Sequence, residues 1–125
     1  WLILSGSMYS FLDPSKAHEF AMDQAQILNL AQTFQESLEK DLALLNAALD
    51  SQDTEPVQRL LHSLKGYVTF LCGPELSQQM IQLEAMSRAK KLGDLAVDIA
   101  KAIPPLQSLL SEVGQWIEND LKPAT

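Results

Sequence analysis

Apolar residues recur along this chain at intervals of three and four, and nowhere do they alternate as in a strand bounded by turn residues. Ile27, Ala31, Phe34, Leu38, Leu42, Leu45 and Leu49 form one stripe, with Gln32, Glu36, Glu39 and Lys40 between them, which predicts a long amphipathic helix capped by Asp23 and running to Leu49 or Asp50. A short helix, Ser15 to about Met22, is expected before it, because Asp13-Pro14 offers a side-chain acceptor and a proline suited to a first turn. The cluster Ser51-Gln52-Asp53-Thr54 breaks the pattern and supplies the next cap, with Glu55-Pro56 in the first turn that follows. Val57, Leu60, Leu61, Leu64, Val68 and Leu71 then share one face of a helix predicted to end near Cys72, where Gly73-Pro74 enforces a turn.

Leu76, Met80, Leu83 and Met86 point one way from the next predicted helix, which finishes with Arg88, Lys90 and Lys91, cations suited to the carboxyl end of a helix dipole. Gly93-Asp94 reads as a stop and a new cap. The last helical region, Leu95 to about Asp120, carries Val97, Ile99, Ile103, Leu106, Leu109, Leu110, Val113, Trp116 and Ile117, and Pro104-Pro105 predicts a kink or a split within it. Because the connections are short, the expected fold is all-α, an antiparallel up-and-down four-helix bundle with a short additional N-terminal helix.

At 125 residues and 46% hydrophobic, the chain suits one domain with a substantial core. Its 16 acidic and 9 basic residues give a net charge of −7, which argues against nucleic acid or an anionic membrane surface as a partner. The single cysteine, Cys72, cannot form an internal disulfide and is expected to be a buried, reduced thiol, so a cytoplasmic setting is expected. Trp1-Leu2-Ile3-Leu4 is too short to span a bilayer, and residues 1–9 are expected to be a linker or foreign to a domain covering residues 10–122. No Gly-rich phosphate loop, nucleophile elbow or metal-ligand spacing is present.

The chemistry concentrates on His62. It falls opposite the apolar face of its helix, with Gln58, Arg59, Lys65, Gly66 and Thr69 around it. A neutral imidazole is a nucleophile, nearby cations favour that form, and the same cations attract a phosphoryl group. Glycine inside a helix costs roughly 0.5–1 kcal/mol relative to alanine, and Gly66 removes the side chain that would hold another protein away from the ring. An exposed histidine alone is most often only solvated, and His18, beside Glu19, is read that way.

The run His62-x-Leu64-Lys65-Gly66, followed by Gly73-Pro74 and a helix over Leu76 to Glu84, resembles the histidine-containing phosphotransfer domains of bacterial multistep phosphorelays, as found in hybrid sensor histidine kinases. The resemblance implies that His62 accepts a phosphoryl group from a receiver-domain aspartate and passes it to another receiver. It further implies that Lys65 steadies that group, that Gly66 admits the receiver, and that Glu84 is the acidic or amide residue of the adjacent helix, able to bond near the imidazole and orient it. Arg59, Gln58, Gly66, Thr69 and Phe70 are the expected partner-binding residues. The domain would need no cofactor, the Mg²⁺ being expected on the response-regulator receiver, and would act as a monomeric phosphocarrier without an ATP site. The chain departs from the family pattern at Tyr67-Val68-Thr69-Phe70, where small residues are usual, and at Cys72, where glycine is. Tyr67 and Phe70 are expected either to seal the groove to a neighbouring helix or to form an apolar rim for a partner. The alternative function is a non-catalytic helical adaptor that binds a receiver or partner helix without being phosphorylated.

Overall fold

The longest apolar stripe forms the longest helix. The computed structural model describes residues 9–19, 23–89 and 92–123 and contains α1 (Ser15–His18), α2 (Gln24–Ser51), α3 (Thr54–Val68), α4 (Pro74–Ser87) and α5 (Leu92–Trp116). A π-helical turn, Ile117–Leu121, prolongs α5. Each long helix packs against the next in chain order, and α5 closes the ring against α2, giving an all-helical bundle.

Local chemistry accounts for the main boundaries. Asp23 starts α2 through a capping box: its carboxylate accepts the Gln26 N–H at 2.8 Å, while its own N–H donates to the Gln26 side chain at 3.0 Å. The helix stops where Gln52 turns left-handed, at φ 58°, so that the Asp53 N–H returns to the Ala48 carbonyl at 3.1 Å. Leu38, Leu61, Leu64, Met80, Ile99, Leu106 and Leu109 meet in the core fully buried, each contributing about 1.5–3 kcal/mol of transfer free energy.

Several expectations need correction. Helix α3 ends at Val68, short of Cys72. The Thr69 hydroxyl bonds back to the Lys65 carbonyl at 2.9 Å, and the chain tightens into turns in which the Leu71 N–H reaches Val68 at 3.2 Å. An N-terminal strap takes the carbonyls that a longer helix would have used. The Lys16 ammonium donates to the Thr69 and Cys72 carbonyls at 3.1 and 2.6 Å, and the Asp13 N–H donates to Leu71 at 2.7 Å. Leu12 and Cys72 form an antiparallel bridge. The carboxylate of Glu112 on α5 holds the same strap, accepting the N–H groups of Ser10, Phe11 and Leu12 at 3.0, 2.9 and 2.9 Å.

Helix α1 ends at His18, and residues 20–22 of the expected extension to Met22 lie outside the described residues. Gly93 and Asp94 lie inside the first turn of α5 and do not form a stop and cap. Pro104 and Pro105 do not split α5. The carbonyls they leave without a helical donor belong to Ala100 and Lys101, both exposed to water, which lowers the cost of the missing bonds. Leu60 is only half-buried and shares a shallow groove with Leu44, Pro56 and Arg59. Tyr9 is part of the core. Arg88 follows the last turn of α4, whereas Lys90 and Lys91 lie outside the described residues.

Candidate functional site

Helix α3 presents His62 outward because Leu61 and Leu64 on either side of it are drawn completely into the core. The His62 side chain is 72% exposed. Gly66 lies on the same exposed surface, and a Cβ added there would meet nothing within 4 Å. Its backbone is not left-handed, so neither packing nor conformation offsets the helix cost of this glycine.

Beside the imidazole, α4 contributes a carboxylate that the bundle has taken out of water. Glu84 is only 3% exposed and is a buried group with cationic partners, not a solvated helix residue. Its Oε1 lies 3.2 Å from Lys65 Nζ, and its Oε2 lies 3.2 Å from Arg88 Nε. The same Oε2 stands 3.9 Å from His62 Nδ1, too long for a direct hydrogen bond but close enough to stabilise positive charge on the ring. Gln58 fixes the end of α4 against α3 by donating to the Ser87 carbonyl at 2.6 Å, while the Ser87 hydroxyl donates to the Glu84 carbonyl at 2.6 Å. An open hollow of about 500 Å³ lies over these groups, lined by Gln58, Arg59, His62, Glu84 and Arg88.

The residues expected to bind a partner divide into two kinds. Arg59, Gly66 and Phe70 are exposed, with Arg59 paired to Glu55 at 3.6 Å. Gln58 and Thr69 are half-buried and make the bonds within the bundle described above. Tyr67 and Phe70 also differ. Tyr67 seals the groove to α2, donating its hydroxyl to Asp41 at 2.8 Å and meeting the Phe34 ring edge-on at 5.5 Å. Burial, then the bond to Asp41 and its negative charge, push the Tyr67 phenol well above its ordinary range. Phe70 remains 51% exposed.

Cys72 is a buried free thiol, 3.1 Å from the Ser77 hydroxyl, and burial raises its pKa. His18 is exposed and far in sequence from the His62 helix. Among the described residues, no three His, Cys, Asp or Glu side chains come together as a metal site, and no helix is long and apolar enough to cross a membrane.

The sequence model of the Hpt domain matches residues 29–116, which include His62, Lys65, Gly66, Glu84 and Arg88. This chain belongs to the Hpt domain family. Its fold agrees: the crystal structure of the HPT domain from a Shewanella sensor hybrid histidine kinase superimposes with a TM-score of 0.74 at 20% identity, over 86% of this chain and 93% of that one. No curated protein matches the sequence. Hpt membership implies histidine phosphotransfer within a phosphorelay and interaction with receiver domains, and Hpt domains are phosphocarriers, not kinases.

Within this Hpt domain, the residue that the sequence reading passed over is Arg88, taken there only as a cation at a helix end. The signal was present: Glu84 and Arg88 are four apart on one helix, the spacing at which a carboxylate and a following cation are neighbours. The reading lacked the fact that Glu84 is buried, and periodicity around one charged residue does not supply it.

Proposed function

We propose that His62 is the phosphoacceptor of this domain, taking a phosphoryl group from the aspartyl phosphate of one receiver and passing it to the aspartate of another. The observation that carries this reading is an exposed imidazole whose Nδ1 faces a buried carboxylate, beside a glycine that opens onto empty space. With its proton on Nδ1, toward Glu84, the ring keeps its lone pair on Nε2, toward solvent. Nε2 attacks phosphorus, forming the N–P bond as the P–O bond of the acyl phosphate breaks. The electron pair of that bond leaves with the receiver's carboxylate. The ring becomes a phosphorylated imidazolium that retains its Nδ1 proton, and the Glu84 carboxylate stabilises the new positive charge. Transfer to the next receiver runs the same steps in reverse.

Lys65 steadies the phosphoryl oxygens with a charge-assisted hydrogen bond. The receiver supplies the Mg²⁺ and most of the transition-state stabilisation, while this domain supplies a positioned nucleophile and needs no cofactor. Arg59, Gly66 and Phe70 form the docking face directly, with Gln58 and Thr69 shaping its floor. The domain acts as a monomer in the cytoplasm, and its working unit covers residues 10–122 together with Tyr9, which packs in the core.

The test is incubation with phosphoramidate and, separately, with a phosphorylated receiver, scoring acid-labile, base-stable label. Labelling of the unaltered protein, its complete loss in His62→Gln with unchanged helicity, and its retention in His18→Gln are expected. Label surviving in His62→Gln would overturn the assignment. Receiver binding without any label would instead identify an adaptor.

A further inference from the structure

The last turn of α4 carries Glu84, and because the helix ends there its carbonyls find no donor further along the same helix. Local donors meet three of them. The Ser87 hydroxyl reaches the Glu84 carbonyl at 2.6 Å, and the N–H groups of Arg88 and Ala89 reach Ala85 and Met86 at 3.3 and 3.0 Å. The fourth, on Ser87, is met from the other helix: Gln58 Nε2 donates to it at 2.6 Å. Ser87 is wholly buried, so water does not readily replace that donor. Gln58 stands one turn before His62 on α3, and Ser87 follows Glu84 within the same turn of α4. The bond thus joins the turn bearing the imidazole to the turn bearing the carboxylate.

We propose that Gln58 is a positioning residue for phosphotransfer: its bond to the Ser87 carbonyl holds Glu84 where it keeps the His62 proton on Nδ1. This rests on His62 being the phosphoacceptor. A free histidine ring favours the proton on Nε2, which would leave the lone pair on Nδ1, facing α4 and unable to meet a donor in solvent. The Glu84 carboxylate reverses that preference electrostatically, and at 3.9 Å it does so without a direct hydrogen bond to lock the pair together. The separation is therefore set by the helices. Lys65 also links α3 to Glu84, but it ends on the carboxylate through a flexible chain, whereas Gln58 grips the backbone of α4. A docking role does not account for this bond, because it commits the Gln58 donor to α4.

Gln58→Met keeps the length of the side chain and removes the donor. The variant is labelled with phosphoramidate, which needs no partner and so bypasses any docking role, while nitrogen NMR shifts of the neutral imidazole report the share of His62 rings protonated on Nδ1. That share falls toward its value in free histidine. Labelling slows about fivefold, since displacing the carboxylate costs less than removing it. A merely structural role would lower the melting midpoint without moving the tautomer of the folded ring. Gln82→Met, the same exchange at an exposed position of α4 on the side toward α5, is the control and changes neither readout.

Slowing of less than about twofold in a folded Gln58→Met, or slower labelling with an unmoved tautomer, overturns the proposal while leaving His62 as phosphoacceptor. Gln58→Lys, whose ammonium can donate to the same carbonyl, retains the Nδ1 share. Loss of the share in that variant overturns the proposal even where Gln58→Met does not fold. So does a neutral His62 in the unaltered protein that carries its proton mainly on Nε2, for then no carboxylate is being positioned to any effect. Failure of the unaltered protein to label at all overturns the phosphoacceptor reading instead.

Discussion

Two carboxylates on adjacent helices, Glu84 and Glu112, are held in opposite ways. Glu112 accepts three backbone N–H groups from residues 10–12, so its charge is met by fixed dipoles that carry no net charge of their own. Glu84 is met by the charged side chains of Lys65 and Arg88, with the imidazole of His62 nearby. Amide donors anchor a carboxylate and leave the local charge negative, whereas two cations anchor it and leave a positive excess. The first arrangement fastens chain to chain. The second leaves net positive charge beside an exposed imidazole.

The comparison can be broken by mutation. Glu112→Ala frees the amides of Ser10, Phe11 and Leu12, two of them in partly buried surroundings, and with them the strap that covers the end of α3. It is expected to cost about 2–4 kcal/mol in urea denaturation, because three charge-assisted bonds are lost together. Phosphoramidate labelling of the folded fraction should be unchanged. If labelling fell as far as it does on altering Glu84, the division into a fastening and a functional carboxylate would be wrong.

Glu84→Ala should cost less stability, about 1–2 kcal/mol, since Arg88 and part of Lys65 are already in water and can be resolvated. It should slow labelling about tenfold, equivalent to about 1.4 kcal/mol in the barrier, and Glu84→Gln, which keeps an acceptor near the ring but not the charge, should be slowed nearly as much. Recovery of most of the rate by Gln would show that the position of an acceptor, and not charge, sets the effect.

The smallest change sharpens the contrast from outside both sites. Tyr67→Phe removes the bond to Asp41 but keeps the ring against Phe34, and should cost about 1 kcal/mol with normal labelling. Because the folded phenol is raised above its ordinary value of 10.0, its contribution is complete below that pH and is lost as pH rises beyond it. Phenolate absorbance from Tyr67 should therefore appear only together with alkaline unfolding. An ionisation of this residue near pH 10 in the folded protein, assigned by difference against Tyr67→Phe, would contradict the burial of its hydroxyl.

Much of the fold was legible because helical periodicity states which side of a helix must leave water. The stripe of α2, the Asp23 cap, the exposed side of His62 and the inward Leu76, Met80 and Leu83 all follow from that rule. Periodicity describes a helix against an unspecified neighbour, however, and says nothing of what that neighbour offers. The end of α3 at Val68 depends on Lys16 and Asp13, which reach the carbonyls of residues 69–72 from more than fifty positions away. The uninterrupted course of α5 past Pro104 and Pro105 goes with freed carbonyls that belong to exposed residues, Ala100 and Lys101.

The site divides along the same line. The sequence by itself determined that His62 is exposed, that Lys65 and Gly66 share its surface, and that a helix carrying Glu84 follows. Only the tertiary structure decided that Glu84 is buried and that Lys65 reaches it from the neighbouring helix to join Arg88 there, because that contact spans two helices whose rotation about each other is set by core packing. A charge pattern read along one chain gives the number of cations. The excess they create beside a particular imidazole exists only once the bundle has closed.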